Sequence, residues 1–134
     1  MRIVHGRAQR VGSEQRSDVV TGEVWFDPIL PPTDGTTITT VFFAPGARTY
    51  WHIHERGQIL HVLAGRGLIC AAGERPRVLS SGDMVWVPPG EQHWHGAAPD
   101  SFMIHTAISL GVTQWAGEVT EASYTAPVDE TAGE

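Results

Sequence analysis

Two pairs of histidines give this sequence its strongest chemical signal. The segment WHIHERGQ places His52 and His54 one residue apart, with Gln58 four residues further on. The segment HWHGAAP repeats the spacing with His93 and His95. Residues i and i+2 of a β-strand lie on the same face, so each pair presents both imidazoles to one side. Because imidazole nitrogens and amide oxygens bind divalent transition metals, the spacing predicts a metal centre.

A structural role is the alternative, since a single histidine in a strand is more often a hydrogen-bonded core or surface residue than a ligand. Two pairs in one small domain favour the metal, and the alternative stays open. The sequence contains neither an HExxH motif nor paired CxxC motifs, so a zinc-protease helix and a zinc ribbon are not supported. His61 is interpreted as an outer-face or subunit-interface residue, and His5 as a surface residue.

Length and composition bound the class of protein. The chain of 134 residues is long enough for one domain with its own core. Cys70 is the single cysteine, so an internal disulfide is excluded and a cytoplasmic protein is expected. Neither a signal sequence nor an apolar run of membrane-spanning length is present, so we expect neither secretion nor membrane insertion. The net charge is −6 and the arginines near the start (Arg2, Arg7, Arg10 and Arg16) form no basic stripe, so nucleic-acid binding is not expected.

The segments that must position the histidines indicate an all-β fold. Short runs rich in valine, isoleucine, threonine and aromatic residues alternate with turns that contain glycine or proline. The predicted strands are 19–26, 36–43, 49–54, 58–64, 67–72, 77–79, 84–87, 93–97 and 102–110. Only 114–123 has a pattern that allows a short helix. So many short strands in one domain favour a sandwich, a jelly roll or a small barrel.

The pattern also indicates how the side chains meet. If strands 49–54 and 58–64 pair across the reversal at 55–57, Gln58 lies close to His54. His105 alternates with Ser109 on the last long strand, so both lie on one face. The final segment, TAPVDETAGE, is small and acidic, so residues 125–134 are predicted to be a flexible tail after a domain formed by residues 1–124.

Two spaced motifs resemble those of the cupin superfamily. The first is G-x5-H-x-H-x3-Q-x6-G, over residues 46–65, and the second is G-x5-P-x-G-x2-H, over residues 82–93. The resemblance departs from the usual pattern at Gln58, where cupins commonly carry glutamate, and at Ala97, where many carry asparagine. It implies a single-domain cupin jelly-roll β-barrel.

The resemblance also implies one divalent metal ion. Carried over position by position, its ligands are His52, His54, Gln58 and His93. Manganese is the first choice, and iron, nickel and zinc stay open because nitrogen and oxygen ligands do not select among them. A neutral amide leaves the charge of the metal uncompensated, which favours a Lewis acid that binds an anionic oxygen or cyanide.

A closer resemblance links PGARTYWHIHERGQ, GDMVWVPPGEQHWHGAAP and SFMIHTAIS to small bacterial cupins of the manganese-dependent hydroxynitrile lyase type. These cleave or form cyanohydrins such as mandelonitrile. The resemblance implies a carbon–carbon lyase in which His105 and His95 are catalytic. We expect the metal to act as the Lewis acid and His105 as the acid or base, with His95 and Ser109 orienting the substrate. The implied substrate-binding residues are Thr39, Val41 and Ser109.

Other functions and the assembly stay open at this point. The alternatives are a cupin dioxygenase or other oxidoreductase, a cyclase or isomerase, and a non-catalytic cupin that binds a small ligand. The expected partner is a small-molecule substrate. Small cupins commonly form dimers or tetramers, so the resemblance also implies a homodimer or homotetramer, with outward Ile59 and Leu63 suited to the interface.

Overall fold

A computed structural model of the chain describes residues 1–7 and 12–131, which leaves Arg10 and residues 132–134 of the predicted tail outside the described residues. Its strands are β1 (Glu14–Arg16), β2 (Val20–Thr21), β3 (Val24–Thr33), β4 (Thr36–Phe43), β5 (Arg48–Thr49), β6 (His52–His54), β7 (Gln58–Ala71), β8 (Arg77–Ser80), β9 (Met84–Val87), β10 (His93–Ala97), β11 (Met103–Leu110) and β12 (Thr113–Trp115). One short helix, α1 (Glu121–Tyr124), is found in the described part of the chain. The predicted all-β class is confirmed.

The strands form a nearly closed antiparallel barrel with two faces. The first face has the order β1-β3-β4-β11-β7-β9. On the second face β10 lies between β7 and the strands β5 and β6, while β8, β2 and β12 extend the edges. The first half of β7 belongs to the first face and its second half to the second. This arrangement is the jelly-roll barrel that the sequence predicted.

Glycines allow β7 to turn the corner between the faces. Gly65 has φ +78°, a left-handed conformation that disfavours other residues, and a Cβ there would collide with the carbonyl of Phe102. A Cβ at Gly67 would collide with Met103 and with the backbone of Gly96. The predicted turn over residues 65–67 is therefore a bend within one continuous strand.

The observed strands extend the predicted ones in places. Segment 19–26 divides at Gly22, and β3 then continues through prolines to Thr33. β1 pairs β3 only up to Phe26, so the later prolines lie where this side of β3 has no strand partner among the described residues. The predicted helical segment 114–123 holds the end of β12 and the start of α1.

The predicted pairing of 49–54 with 58–64 is wrong. β6 pairs β10 and β12, whereas the start of β7 pairs β11 and β9. The link at 55–57 therefore carries the chain from the second face to the first rather than closing a hairpin. Gln58 nevertheless reaches the histidines, because both faces point their side chains into the same barrel.

The C-terminal segment lies against the outside of the second face. Val119 and Tyr124 form a buried cluster with Trp94 and Cys70, and Val128 packs against it. The Asp129 amide donates to the Pro76 carbonyl at 2.8 Å. The flexibility assigned to residues 125–134 stays a prediction.

Within the described residues, no helix has the length and apolar character needed to cross a bilayer. The cytoplasmic location stays a prediction.

Candidate metal centre and active site

Register places the histidines of β6 and β10 side by side. His52 lies directly opposite His93 in the antiparallel pair, and their ring centroids are 4.2 Å apart. His54 and His95 follow on the same inward faces, and all four side chains are buried. The spacing of two residues within each strand thus directs four imidazoles, two from β6 and two from β10, into the interior of the barrel.

Gln58 is oriented by its neighbour on β11. Its Nε2 donates to Ser109 Oγ at 3.1 Å, and Ser109 is its register partner. In this orientation the amide oxygen, Oε1, lies 3.2 Å from His93 Nε2. Ser109, predicted to bind substrate, therefore also holds the glutamine.

The contact between Gln58 and His93 joins two hydrogen-bond acceptors. His93 Nδ1 lies 3.0 Å from the Glu91 carbonyl oxygen, which can only accept, so Nδ1 carries the proton of the neutral ring. His93 Nε2 is then unprotonated and carries a lone pair. It faces the amide oxygen of Gln58, which is also an acceptor. A cation bound by both atoms would turn this repulsion into ligation.

The other two predicted ligands are held in the same way. His52 Nδ1 lies 2.8 Å from the Tyr50 carbonyl oxygen, so Nδ1 carries the proton and Nε2 is unprotonated. His54 Nδ1 lies 3.0 Å from Thr113 Oγ1, and its buried Nε2 has no hydrogen-bond partner among the described residues. Metal-binding histidines are fixed by such contacts at the far nitrogen, so the residues present fit a divalent transition metal.

Burial keeps the imidazoles neutral. Desolvation is the largest cause that lowers the pKa of His52, His93 and His95, and it lowers the pKa of His54 and His105 to about 4. Repulsion from His93 also lowers the pKa of His52 and His54. A neutral imidazole is the form that binds a metal.

His95 and His105 form a second contact pair deeper in the barrel. His95 Nδ1 is 3.0 Å from His105 Nε2, and both side chains are buried against Phe43. His95 Nε2 and His105 Nδ1 have no partner within the described residues. The pair therefore has an unused nitrogen at each end.

The structure brings together all four predicted ligands and adds His95. The ligand nitrogens of His52, His93 and His95 lie within 4.8 Å of one another, so this triad could hold a metal. The ring centroid of His54 is 5.0 Å from that of His52 and 5.5 Å from that of His93. The ligand set of His52, His54, Gln58 and His93 stays a prediction, with His95 within reach.

A cavity of about 140 Å³ opens beside these histidines. The residues predicted for catalysis and substrate binding all line it: His105, His95, Thr39, Val41 and Ser109. Their roles stay predictions. His93 also borders a larger groove of about 930 Å³ between β8, β9 and residues 128–131.

Sequence reasoning missed several residues of the cavity wall. Thr49 Oγ1 accepts from the His95 amide at 3.2 Å, and the Trp115 ring is 4.6 Å from the His52 ring. Thr113, which contacts His54, lies on the same strand as Trp115. The alternation of threonine and tryptophan in β12 was a strand signal that the helical interpretation of 114–123 overrode.

The fold and the site together define a β-barrel with a buried imidazole centre, and the comparisons name its family. The chain matches the Cupin domain family over residues 39–105. It is 40% identical over 126 residues to (R)-mandelonitrile lyase from Granulicella tundricola, covering 87% of this chain and 96% of the relative. The chain belongs to the cupin family, which confirms the resemblance drawn from its motifs.

Solved structures agree with this assignment. A cupin-like protein from Thermotoga maritima superposes with a TM-score of 0.80 and 41% identity, covering 87% of this chain and 92% of that one. The polyketide cyclase RemF from Streptomyces resistomycificus gives a TM-score of 0.70 at 19% identity, with coverage of 92% and 90%. The second likeness shows the fold alone.

Proposed function

We propose that this cupin is a metal-dependent carbon–carbon lyase that cleaves or forms cyanohydrins. The observation that carries the proposal is the buried triad of His52, His93 and His95, whose ligand nitrogens lie within 4.8 Å of one another, beside a cavity that contains a histidine pair. The related mandelonitrile lyase, 40% identical, supports the choice of reaction.

The metal would be held by His52, His54, Gln58 and His93, with manganese proposed first. When bound, it supplies Lewis-acid stabilisation of the negative charge that develops on the substrate oxygen. Since the imidazoles and the amide are all neutral ligands, they leave this positive charge undiminished. Elemental analysis of the native protein beside His52→Ala tests the site: metal present in the first and lost in the second is expected.

The histidine pair would move the proton. With the His95 Nδ1 proton donated to His105 Nε2, His95 Nε2 is an acceptor with no partner among the described residues, on a side chain that lines the cavity. The hydroxyl proton passes to His95 Nε2 as the Nδ1 proton moves to His105. The oxygen's bonding electrons then form the carbonyl, the bond to cyanide breaks with its electron pair on cyanide, and His105 returns a proton through His95 to give hydrogen cyanide.

Thr39, Val41 and Ser109 would form the wall against which the substrate is oriented. Thr39 and Val41 lie on β4, opposite Ala107 and His105 of β11 in the antiparallel register. All of them face the cavity. Their small side chains leave its volume for the substrate.

Benzaldehyde release from mandelonitrile by metal-loaded protein tests the function. His105→Ala is expected to lower the rate by about two to four orders of magnitude, the usual contribution of a positioned acid or base. His61→Ala is the matched control, because His61 is exposed on the opposite side of β7. No benzaldehyde above background, with other cyanohydrins also unreactive, would refute the lyase. Oxygen consumption with phenolic or diketone substrates would then support a dioxygenase.

We also propose that the protein forms a homodimer or homotetramer through the outer side of the first face. One row across five strands consists of apolar residues in register: Leu30, Ile38, Ile108, Ile59 and Trp86. Trp86 is 55% exposed and Leu63 46% exposed. Exposed apolar surface of this kind is typical of an association site.

A further inference from the structure

The described lining of the cavity carries formal charge of one sign, and the carboxylate that pairs with it, Asp18, is not among the lining residues. Arg16 is the one formally charged residue among the described residues that line it, and no described carboxylate does. A divalent metal held by neutral ligands would add its full positive charge to the same space. Arg16 is partly exposed and paired with Asp18, so its attraction for an anion acts at short range, through a direct hydrogen bond. The cavity therefore favours molecules that carry negative charge.

Arg16 is positioned where it can interact directly with a substrate in the cavity. It ends β1, and its guanidinium carbon lies 5.5 Å from the centroid of the Phe26 ring, another residue of the cavity wall. A guanidinium within about 6 Å of a ring centroid is attracted to the face of the ring. The Arg16 side chain is 31% exposed, which places it between the cavity and solvent.

Part of the guanidinium is already occupied. Nε donates to Asp18 Oδ1 at 3.1 Å and Nη2 donates to Asp18 Oδ2 at 2.9 Å, on an aspartate whose side chain is 66% exposed. Nη1 has no partner among the described residues. Asp18 thus holds the guanidinium in position and leaves one nitrogen with two protons to donate.

We propose that Arg16 selects substrates that bear a carboxylate at the end remote from the metal-binding histidines, an inference that rests on the proposed lyase function. The substrate class is a cyanohydrin, or the aldehyde formed from it, with an anionic group. The cavity of about 140 Å³ accepts the reacting end. The carboxylate lies at the open side, where Nη1 donates to it and where it remains partly hydrated.

Binding of two matched aldehydes tests this. 4-Formylbenzoate and 4-formylbenzamide have nearly the same shape and differ by one negative charge. Calorimetric titration of the metal-loaded protein is expected to show about tenfold or more tighter binding of the carboxylate, the range for hydrogen bonds to charged groups. Arg16→Gln is expected to reduce the ratio of the two affinities to about one.

The control separates local recognition from net charge. Arg66→Gln removes an arginine that is likewise paired with an aspartate, Asp100, but lies outside the cavity wall. This variant should keep the wild-type preference. Metal content of each variant, measured beside binding, shows that the fold and the site are intact.

Each outcome supports or overturns the proposal from binding measurements alone, with no need for catalytic activity. If Arg16→Gln keeps the preference and removal of the metal with a chelator abolishes it, the carboxylate binds the metal and the proposal is overturned. Equal affinities in the wild type also overturn it. Loss of preference in Arg16→Gln alone supports it even if no cyanohydrin is cleaved, in which case the lyase function fails and the anion specificity stands.

Discussion

The amide at position 58 is the residue that most shapes the chemistry of the site. Its Nε2 is held by Ser109, so its oxygen faces His93. An amide oxygen contributes a dipole but no net charge, whereas a carboxylate would offset about half the charge of a divalent metal. The polarising strength of the metal thus depends on one side chain.

Gln58→Glu is expected to hold the metal more tightly and to cleave cyanohydrins more slowly, each by about tenfold, because added negative charge attracts the metal and weakens it as a Lewis acid. Metal retention against a chelator and benzaldehyde release from mandelonitrile measure the two effects. Gln114→Glu adds the same charge on the exposed side of β12 and should leave both unchanged. Faster cleavage by Gln58→Glu would contradict the proposed role of the amide.

Residue spacing was enough to find the histidines but not to assign them. The period of two predicted that His52 and His54, and His93 and His95, share faces; burial alternates along β6, and the rings of His93 and His95 both contact that of His52. Ligand identity depends on which nitrogens meet across strands that are distant in sequence. No spacing within one strand contains that information, so the proximity of His95 to the triad came from the structure.

At the scale of elements, short strands with clear turns were predictable and their pairing was not. The bounds of β4, β9 and β10 agree with the prediction. β1 and β12 are three residues each, and the alternation in β12 spans too few residues to outweigh the helical interpretation of 114–123. The assumed hairpin at 55–57 failed because short loops in a barrel can also cross between faces. Pairing is a property of the whole sheet rather than of one connection.

The bend in β7 gives a test of this element. Gly65→Ala is expected to lower the free energy of unfolding by about 3 kcal/mol or more, since the new Cβ meets Phe102 in addition to the cost of φ +78°. Gly73→Ala is the matched control: its φ is +82° and nothing lies within 4 Å of the added atom. Urea denaturation measures both variants. Equal losses would show that the corner tolerates a side chain.

At the scale of the molecule, the buried histidines link stability to pH. Burial lowers the pKa of His105 to about 4, whereas the unfolded chain titrates near 6.5. Between these values the unfolded state binds a proton that the native state does not, so acid favours unfolding.

The metal-free protein is therefore expected to lose stability as pH falls from about 6.5 towards 4, with His105 alone accounting for about 3 kcal/mol. Urea denaturation at several pH values measures the slope. His105→Gln removes one of five buried imidazoles with a lowered pKa and should make the profile less steep in this window, while His52, His54, His93 and His95 still contribute. A wild-type profile as flat as that of the variant would contradict the buried neutral imidazole.

The outer side of the first face gives a test of assembly. Ile108→Asp places a charge in the apolar row between Ile38 and Ile59 and is expected to shift the protein to monomers, because an unpaired charge is costly in an apolar interface. Small-angle scattering or ultracentrifugation measures the mass. Ile3→Asp, at a position already 69% exposed, is the control. A wild-type protein that is monomeric at high concentration would refute the assembly.

Because β7 runs through both faces, neither face is a layer that can detach by itself. Separating β9 from the first face disturbs β7, and β7 also pairs with β10, the strand that carries His93 and His95. Native-state amide exchange should therefore find one cooperative unit, in which protons of β11 and β10 become exchangeable at a common opening free energy. Ligand capture at the centre would then slow exchange across the entire barrel, far from any atom that the ligand touches.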